Sequence, residues 1–278
     1  MNKTNLLIIG LIVLLTVLGI RIYSQNESSQ VVIDDQPPVV NVPPTPVKVP
    51  IVHYPVTEPA APEEPAPQEA QEPIAAAPAS FLPEVLPEMQ NSDTSLQKVL
   101  TEIDTDASYL SLLILDNFIP KFVVTIDNLP EKKLPQAHLP LKSPKGRFLV
   151  SGTTEAPQTS RRNQQRYEVY VKFLESLDPT LIVKIYNHYY PLFQSAYKQL
   201  GYRNAYFNDR LVQVLDHLQE TPDTAEPLSL SQPSVLFTFT DPSLEKLSSG
   251  QKILLRIGPD YRRRILKLLA IYRKALVK

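Results

Sequence analysis

No cysteine occurs among the 278 residues. Its absence removes disulfides, thiolate metal sites and the cysteine-borne lipid of a lipoprotein, and leaves the redox compartment open. Glycine is scarce: past residue 23 there are Gly146, Gly152, Gly201, Gly250 and Gly258 alone. Their spacing builds no GxGxxG turn, no phosphate-cradling GxxxxGK[ST] loop and no GxSxG elbow. A dinucleotide enzyme, a P-loop NTPase and an α/β-hydrolase are therefore not expected. The histidines are His53, His138, His188 and His217, and none has a second histidine at i+3 or i+4 to form a metal pair. No metal and no cofactor is expected.

Positive charge is nearly missing from the front of the chain. Only Lys3, Arg21 and Lys48 precede residue 91, against ten acidic residues, whereas the remainder holds 25 Lys/Arg against 19 Asp/Glu. A mildly basic body follows an acidic leader. The plain reading is an ordinary solvated surface, and the sharper one is an anionic neighbour such as lipid headgroups or cell-wall polymer.

What the front does contain is "LLIIGLIVLLTVLGI", Leu6 to Ile20, without a charge. Thr4, Asn5, Ile22 and Tyr23 extend it to the roughly 20 residues that span a bilayer, and Arg21 can snorkel toward headgroups. Lys3 precedes the run and positive charge is depleted after it, so the downstream side is expected to face away from the cytoplasm. A cleavable signal peptide cut near Val17-Leu18-Gly19 is the rival, but that site lies inside the apolar run. The expectation is a cytoplasmic stub and signal anchor over 1–23, contacting the bilayer through residues 4–23, in a bacterial inner membrane with the C-terminal domain in the periplasm.

Residues 24–80 read as a linker. Fifteen prolines lie between Gln36 and Pro87, in runs such as "PPVVNVPPTPVKVP" and "EPAAPEEPAPQEAQEP". Such a segment buries too little apolar surface to offset its ordering entropy, so a disordered spacer is expected. In polyproline II form it would reach roughly 175 Å. Docking to an aromatic groove is the alternative, although no repeated PxxP core with a flanking arginine appears.

Residues 81–278 have globular composition, and their periodicity predicts one mostly helical α+β domain with a few short strands. "FLPEVLPEMQ" reads as a docking arm before a helix capped by Ser92 and Asp93. Pro120 and Pro130 bound a second helix. Tyr167, Tyr170, Val171, Leu174 and Leu177 form one apolar face. The helix from Pro179 to about Leu200 carries two stripes, so it is expected to be buried on most sides and bent at Pro191. "RFLVSG" and Val235 to Phe239 are candidate strands. Gly258-Pro259 separates the last two helices. Eight of the 13 tyrosines lie between Tyr167 and Tyr206. The stripes assign most of them to the core, although exposed ones would suit sugar stacking.

The densest polar mixture is "NAYFNDRLVQVLDHL", 204–218. Leu211, Val214, Leu215 and Leu218 make a stripe, Asn208 is placed as an N-cap, and Asp209 complements the helix dipole. Arg210, Asp216 and His217 have no such local role, nor have Asp127-Asn128. These residues are expected to meet in one polar network or ligand site comprising Asp127, Asn128, Asn208, Asp209, Arg210, Asp216 and His217. A separation of more than about 10 Å between Asp127 and the 208–217 segment, well beyond hydrogen-bond reach, would end that idea. Arg262, Arg263, Arg264 and Lys267 on the last helix are candidates for contact with an anionic surface. Their plain reading is a solvated face, and no nucleic-acid partner is expected.

Together "FVVTIDNLP" (122–130), "YFNDRLVQVLDHL" (206–218) and "LSSGQKILLRIGP" (247–259) resemble a bacterial envelope family known as domain of unknown function three thousand and fourteen, over roughly 82–277. The anchor and proline-rich tether resemble members of that family too. The resemblance implies an architecture and transfers no catalytic residue. A non-catalytic binding or scaffolding role with an envelope protein or cell-wall partner is the leading expectation. The alternatives are a hydrolase using Asp127, Asp209, Asp216 and His217, and a binder of cell-wall glycan or anionic lipid.

Overall fold

The computed structural model of the chain describes residues 53–56, 81–102 and 107–277. The expected anchor and most of the expected linker lie outside these residues. Among the described residues no helix is long and apolar enough to cross a membrane. The helices are α1 Ser92–Glu102, α2 Ala107–Leu110, α3 Phe118–Asn128, α4 Asn163–Ser176, α5 Pro179–Gln199, α6 Phe207–Gln219, α7 Pro242–Glu245, α8 Ser249–Arg256 and α9 Pro259–Leu276. Strands β1 Val150–Gly152 and β2 Pro157–Thr159 pair antiparallel, as do β3 Leu230–Ser231 and β4 Thr238–Phe239. The domain is mostly helical.

Helix α5 is the central post. Asp178 caps it, accepting from the Thr180 and Leu181 amides at 2.7 and 3.3 Å, and Pro179 supplies a pre-set first turn. Its two stripes are both buried: Ile182, Tyr186, Phe193 and Tyr197 on one, Ile185, Tyr189, Leu192 and Ala196 on the other. The helix runs on through Pro191 and stops before Gly201, whose φ of 105° is left-handed territory. Helices α3, α6 and α9 pack around it, and α9 also packs on α4 and α6.

Three local expectations are corrected. Asp93 does not cap its own helix. Its carboxylate accepts from the Asn117 and Phe118 amides at 2.7 and 3.0 Å, capping α3 and tying α1 to it. The capping group is supplied by tertiary contact because Asn117, left-handed at φ 51°, makes no side-chain cap of its own. The strand expected over Val235 to Phe239 shrinks to its last two residues, since 233–236 form the bend of a tight hairpin and Val235 is exposed. Likewise "RFLVSG" contributes only Val150 to Gly152. The hairpins meet at a Gln158–Ser229 bridge and through Thr159, which exchanges hydrogen bonds with the Leu228 main chain at 2.9 Å, beside a small apolar cluster of Leu228, Leu230, Phe239 and Leu255.

Aromatic rings where α3, α5 and α6 meet position the site. Phe207, fully buried, lies parallel to Phe193 at 5.9 Å, and Phe122 meets both edge-on. This fixes the first residue of α6, and the next two face one edge of the cluster.

Candidate functional site

Helix α6 begins without a side-chain cap of its own: its N-cap residue is Tyr206, in extended conformation. Gln194 of α5 accepts from the Phe207 amide at 2.8 Å instead. Asn208 is thus one residue inside the helix, and the expectation that it caps α6 is corrected. It is fully buried. The Tyr186 phenol donates to Asn208 Oδ1 at 3.2 Å. Burial first, then Tyr190 and Asp209, push the Tyr186 pKa well above its ordinary value, so the phenol stays protonated and serves as donor. With Oδ1 held inward, the Asn208 amide nitrogen faces outward.

The group that receives it comes from far away in the chain. Asn208 Nδ2 donates to the Tyr54 carbonyl at 3.0 Å, and the Tyr54 amide donates to Asp209 Oδ1 at 2.7 Å. The main chain of Tyr54 is therefore held on both sides by consecutive residues of one helical turn. His53 Nδ1 lies 3.0 Å from Asp209 Oδ2, and its ring sits 4.0 Å from that of Tyr206. Val56 packs against the main core. Residues 53–56 alternate exposed, half-buried, exposed, half-buried, the period of an extended segment laid on a surface. These four residues fall inside the stretch expected to be a disordered spacer, and they instead lie against the body.

A second set of contacts begins at the next residue of the same turn. Arg210 Nε donates to Asp127 Oδ1 at 2.8 Å and its terminal nitrogen to the Asp127 carbonyl at 2.7 Å, joining α6 to the last turn of α3. The Tyr202 hydroxyl donates to Asp127 Oδ2 at 3.1 Å, and its ring stacks on Tyr197 at 4.6 Å. Burial first, and Asp127 next, raise the pKa of both phenols, so both stay protonated and Tyr202 serves as a donor. Between Asp127–Arg210 and His53–Asp209 lies a cavity of about 420 Å³, with Tyr202 and Tyr206 on its rim.

The structure brings Asp127, Asn208, Asp209 and Arg210 to this face and takes the other candidates elsewhere. Asn128 turns back to the Val124 carbonyl at 2.8 Å. His217 Nε2 meets Ser248 Oγ at 2.9 Å, and its carbonyl accepts from Gln251, beside the capping box of α8. Asp216 is bound by Arg273 of α9, at 2.5 and 3.1 Å. That guanidinium does bear on the docked segment: Asp216 first, and Tyr54 after it, raise its pKa. On α9, Arg262 is corrected as a surface residue. Its side chain is 1% exposed and points to Asp223 and Thr224. Arg263 is paired with Asp260 and Arg264 with Glu175, while Lys267 is exposed.

His53, Tyr54, Tyr186 and Gln194 take part without having been singled out from the sequence. One signal was present: between Ser24 and Ser80, His53 is the sole histidine and Tyr54 the sole aromatic. Among the described residues no group of three or more His, Asp or Glu is placed to hold a metal ion.

No curated protein and no solved structure matches this chain. Residues 118–273, more than half of its length, match the family model described as "Protein of unknown function (DUF3014)". That span contains all three blocks on which the resemblance rests, together with Asp127, Asn208, Asp209 and Arg210. The chain belongs to the DUF3014 family.

Proposed function

We propose that this protein is a single-pass, membrane-anchored component of the bacterial envelope. Its folded body, held in the periplasm on a proline-rich tether, binds or scaffolds and does not catalyse. The charge-free run from Leu6 to Ile20, followed by a segment poor in Lys and Arg, supports the anchor and its orientation. One observation carries the binding role: Asn208 and Asp209, the residues most suggestive of chemistry, hold both polar groups of the Tyr54 main chain. Hydrolysis draws less support. Asp127 is engaged by Arg210 and Tyr202, Asp209 by His53 and Tyr54, and Asp216 by Arg273, so the carboxylates stand in separate pairs.

A glycan-binding reading draws on Tyr202 and Tyr206, 41% and 49% exposed at the cavity rim. Its distinguishing result is salt-resistant binding to isolated cell wall that disappears in Tyr206→Ala.

Affinity capture of the intact protein from membranes tests the main reading. A retained partner that Asp209→Ala loses, and that Asp209→Asn partly keeps, is the expected result. Turnover of an envelope substrate with no retained partner would overturn it. A reporter that is active only outside the cytoplasm, fused after residue 90, should be active, and an inactive fusion would sink the periplasmic orientation.

A further inference from the structure

We infer that the first turn of α6 and the end of α9 form a recognition cleft for an extended Tyr-Pro-aliphatic peptide. In this chain residues 53–56 fill the cleft reversibly, and the same pattern supplied by another chain exchanges with them. The inference rests on the binding role proposed above and names the class of partner.

Four features carry it. The grip falls on main-chain atoms: the Tyr54 amide and carbonyl are read by Asp209 and Asn208, contacts that any extended peptide can offer. The cleft is pre-organised, because the buried Tyr186 phenol fixes the Asn208 amide, whose nitrogen also leans on the Leu276 carbonyl at 3.4 Å. Side chains then select. Tyr54 and Val56 face inward, Tyr54 toward Arg273 and Val56 onto the core, while His53 meets Tyr206 and Asp209. Finally, Pro55 holds the residue before it in the extended region, so little conformational freedom is lost on docking.

Exchange follows from the size of the footprint. Four residues and two main-chain hydrogen bonds make a weak contact, held by a linker that keeps the segment at an effective concentration on the order of millimolar. A peptide from another chain binds measurably once that internal competitor is removed.

The test uses the intact chain in detergent micelles and a fluorescein-labelled peptide covering residues 49–60, "VPIVHYPVTEPA", followed by fluorescence anisotropy. Replacing residues 53–56 with Gly-Ser-Gly-Ser should tighten binding of the labelled peptide about fivefold over the unmodified chain. Adding Asp209→Ala to the opened chain should return the affinity to the unmodified level or below. Adding Tyr206→Ala, at a position 49% exposed, should weaken binding several-fold, and so should a peptide with Pro55→Ala. Equal binding by opened and unmodified chains, or indifference to both Asp209→Ala and Tyr206→Ala with helical circular dichroism retained, overturns the inference. If the peptide fails while the membrane capture still yields an Asp209-dependent partner, only the peptide class falls. If peptide binding holds while capture fails, the cleft stands and the scaffolding role falls.

Discussion

Arg262 brings a permanent charge to a position where its side chain is 1% exposed, yet its carboxylate partner Asp223 is 71% exposed. The pair is asymmetric, and the two residues differ in what their loss leaves behind. Arg262→Ala removes a buried side chain and leaves the Thr224 carbonyl and hydroxyl without their donor. A loss of about 2–4 kcal/mol is expected, read from the urea midpoint. Asp223→Ala removes a solvated carboxylate but leaves the buried guanidinium on Thr224 alone, so a smaller loss of about 1–2 kcal/mol is expected. His188 gives a pH effect. Its Nε2 is buried with no partner among the described residues, and burial lowers its pKa from 6.5. The native state therefore binds fewer protons than the unfolded one, and stability is lost as pH falls from 6.5 through the lowered value. Glu226 acts the opposite way, because burial raises its pKa above 4.5 and its contribution fades as pH rises. Denaturant unfolding of His188→Gln beside the parent, at about pH 7.5 and about pH 5, isolates the histidine: the variant should lose less on acidification. At this scale the sequence was legible where a residue's role is local, as for Gly258-Pro259, which separates α8 from α9. It was not legible for Asn208, whose partners are Tyr186, Tyr54 and Leu276, because no short spacing encodes them.

Helix α8 shows how closely two elements can be required to approach. A Cβ on Gly250 would stand 2.6 Å from Leu218 Cδ2 and 3.1 Å from the Leu129 carbonyl oxygen. Leu218 and Leu129 are both fully buried and have little room to yield. Alanine is the better helix former by about 1 kcal/mol, but overpacking here opposes it with about 1–3 kcal/mol. Gly250→Ala should therefore lower the melting temperature by several degrees, measured by circular dichroism. The "LSSGQK" block thus carries a packing requirement together with a capping box. Long helices such as α4, α5 and α6 could be read from their stripes because each buries one or two continuous faces in a shared core. The hairpin strands could not be delimited, since pairs of two or three residues are set by the turns and by the satellite cluster of Leu228, Leu230, Phe239 and Leu255. Asp93 was misplaced for a related reason: its acceptor role lies on α3, across the fold.

For the whole molecule, the docked segment contributes little to the stability of the body. Two main-chain hydrogen bonds, the His53–Asp209 contact and the half-buried Val56 only slightly exceed the cost of ordering a short, proline-restricted segment. Replacing 53–56 by Gly-Ser should leave the unfolding midpoint within about 1 kcal/mol of the parent, while amide exchange at Asn208 and Asp209 rises. A change in the midpoint larger than this would show the segment to be part of the folding unit. The contact also alters how force passes through the chain. A pull on the chain ahead of His53 enters the body at Tyr54, through the start of α6, before it reaches Phe81. When the grip on Tyr54 gives way, the load passes along the chain to Phe81. The clasp is thus a mechanical fuse ahead of the body, rated by two hydrogen bonds and a half-buried valine.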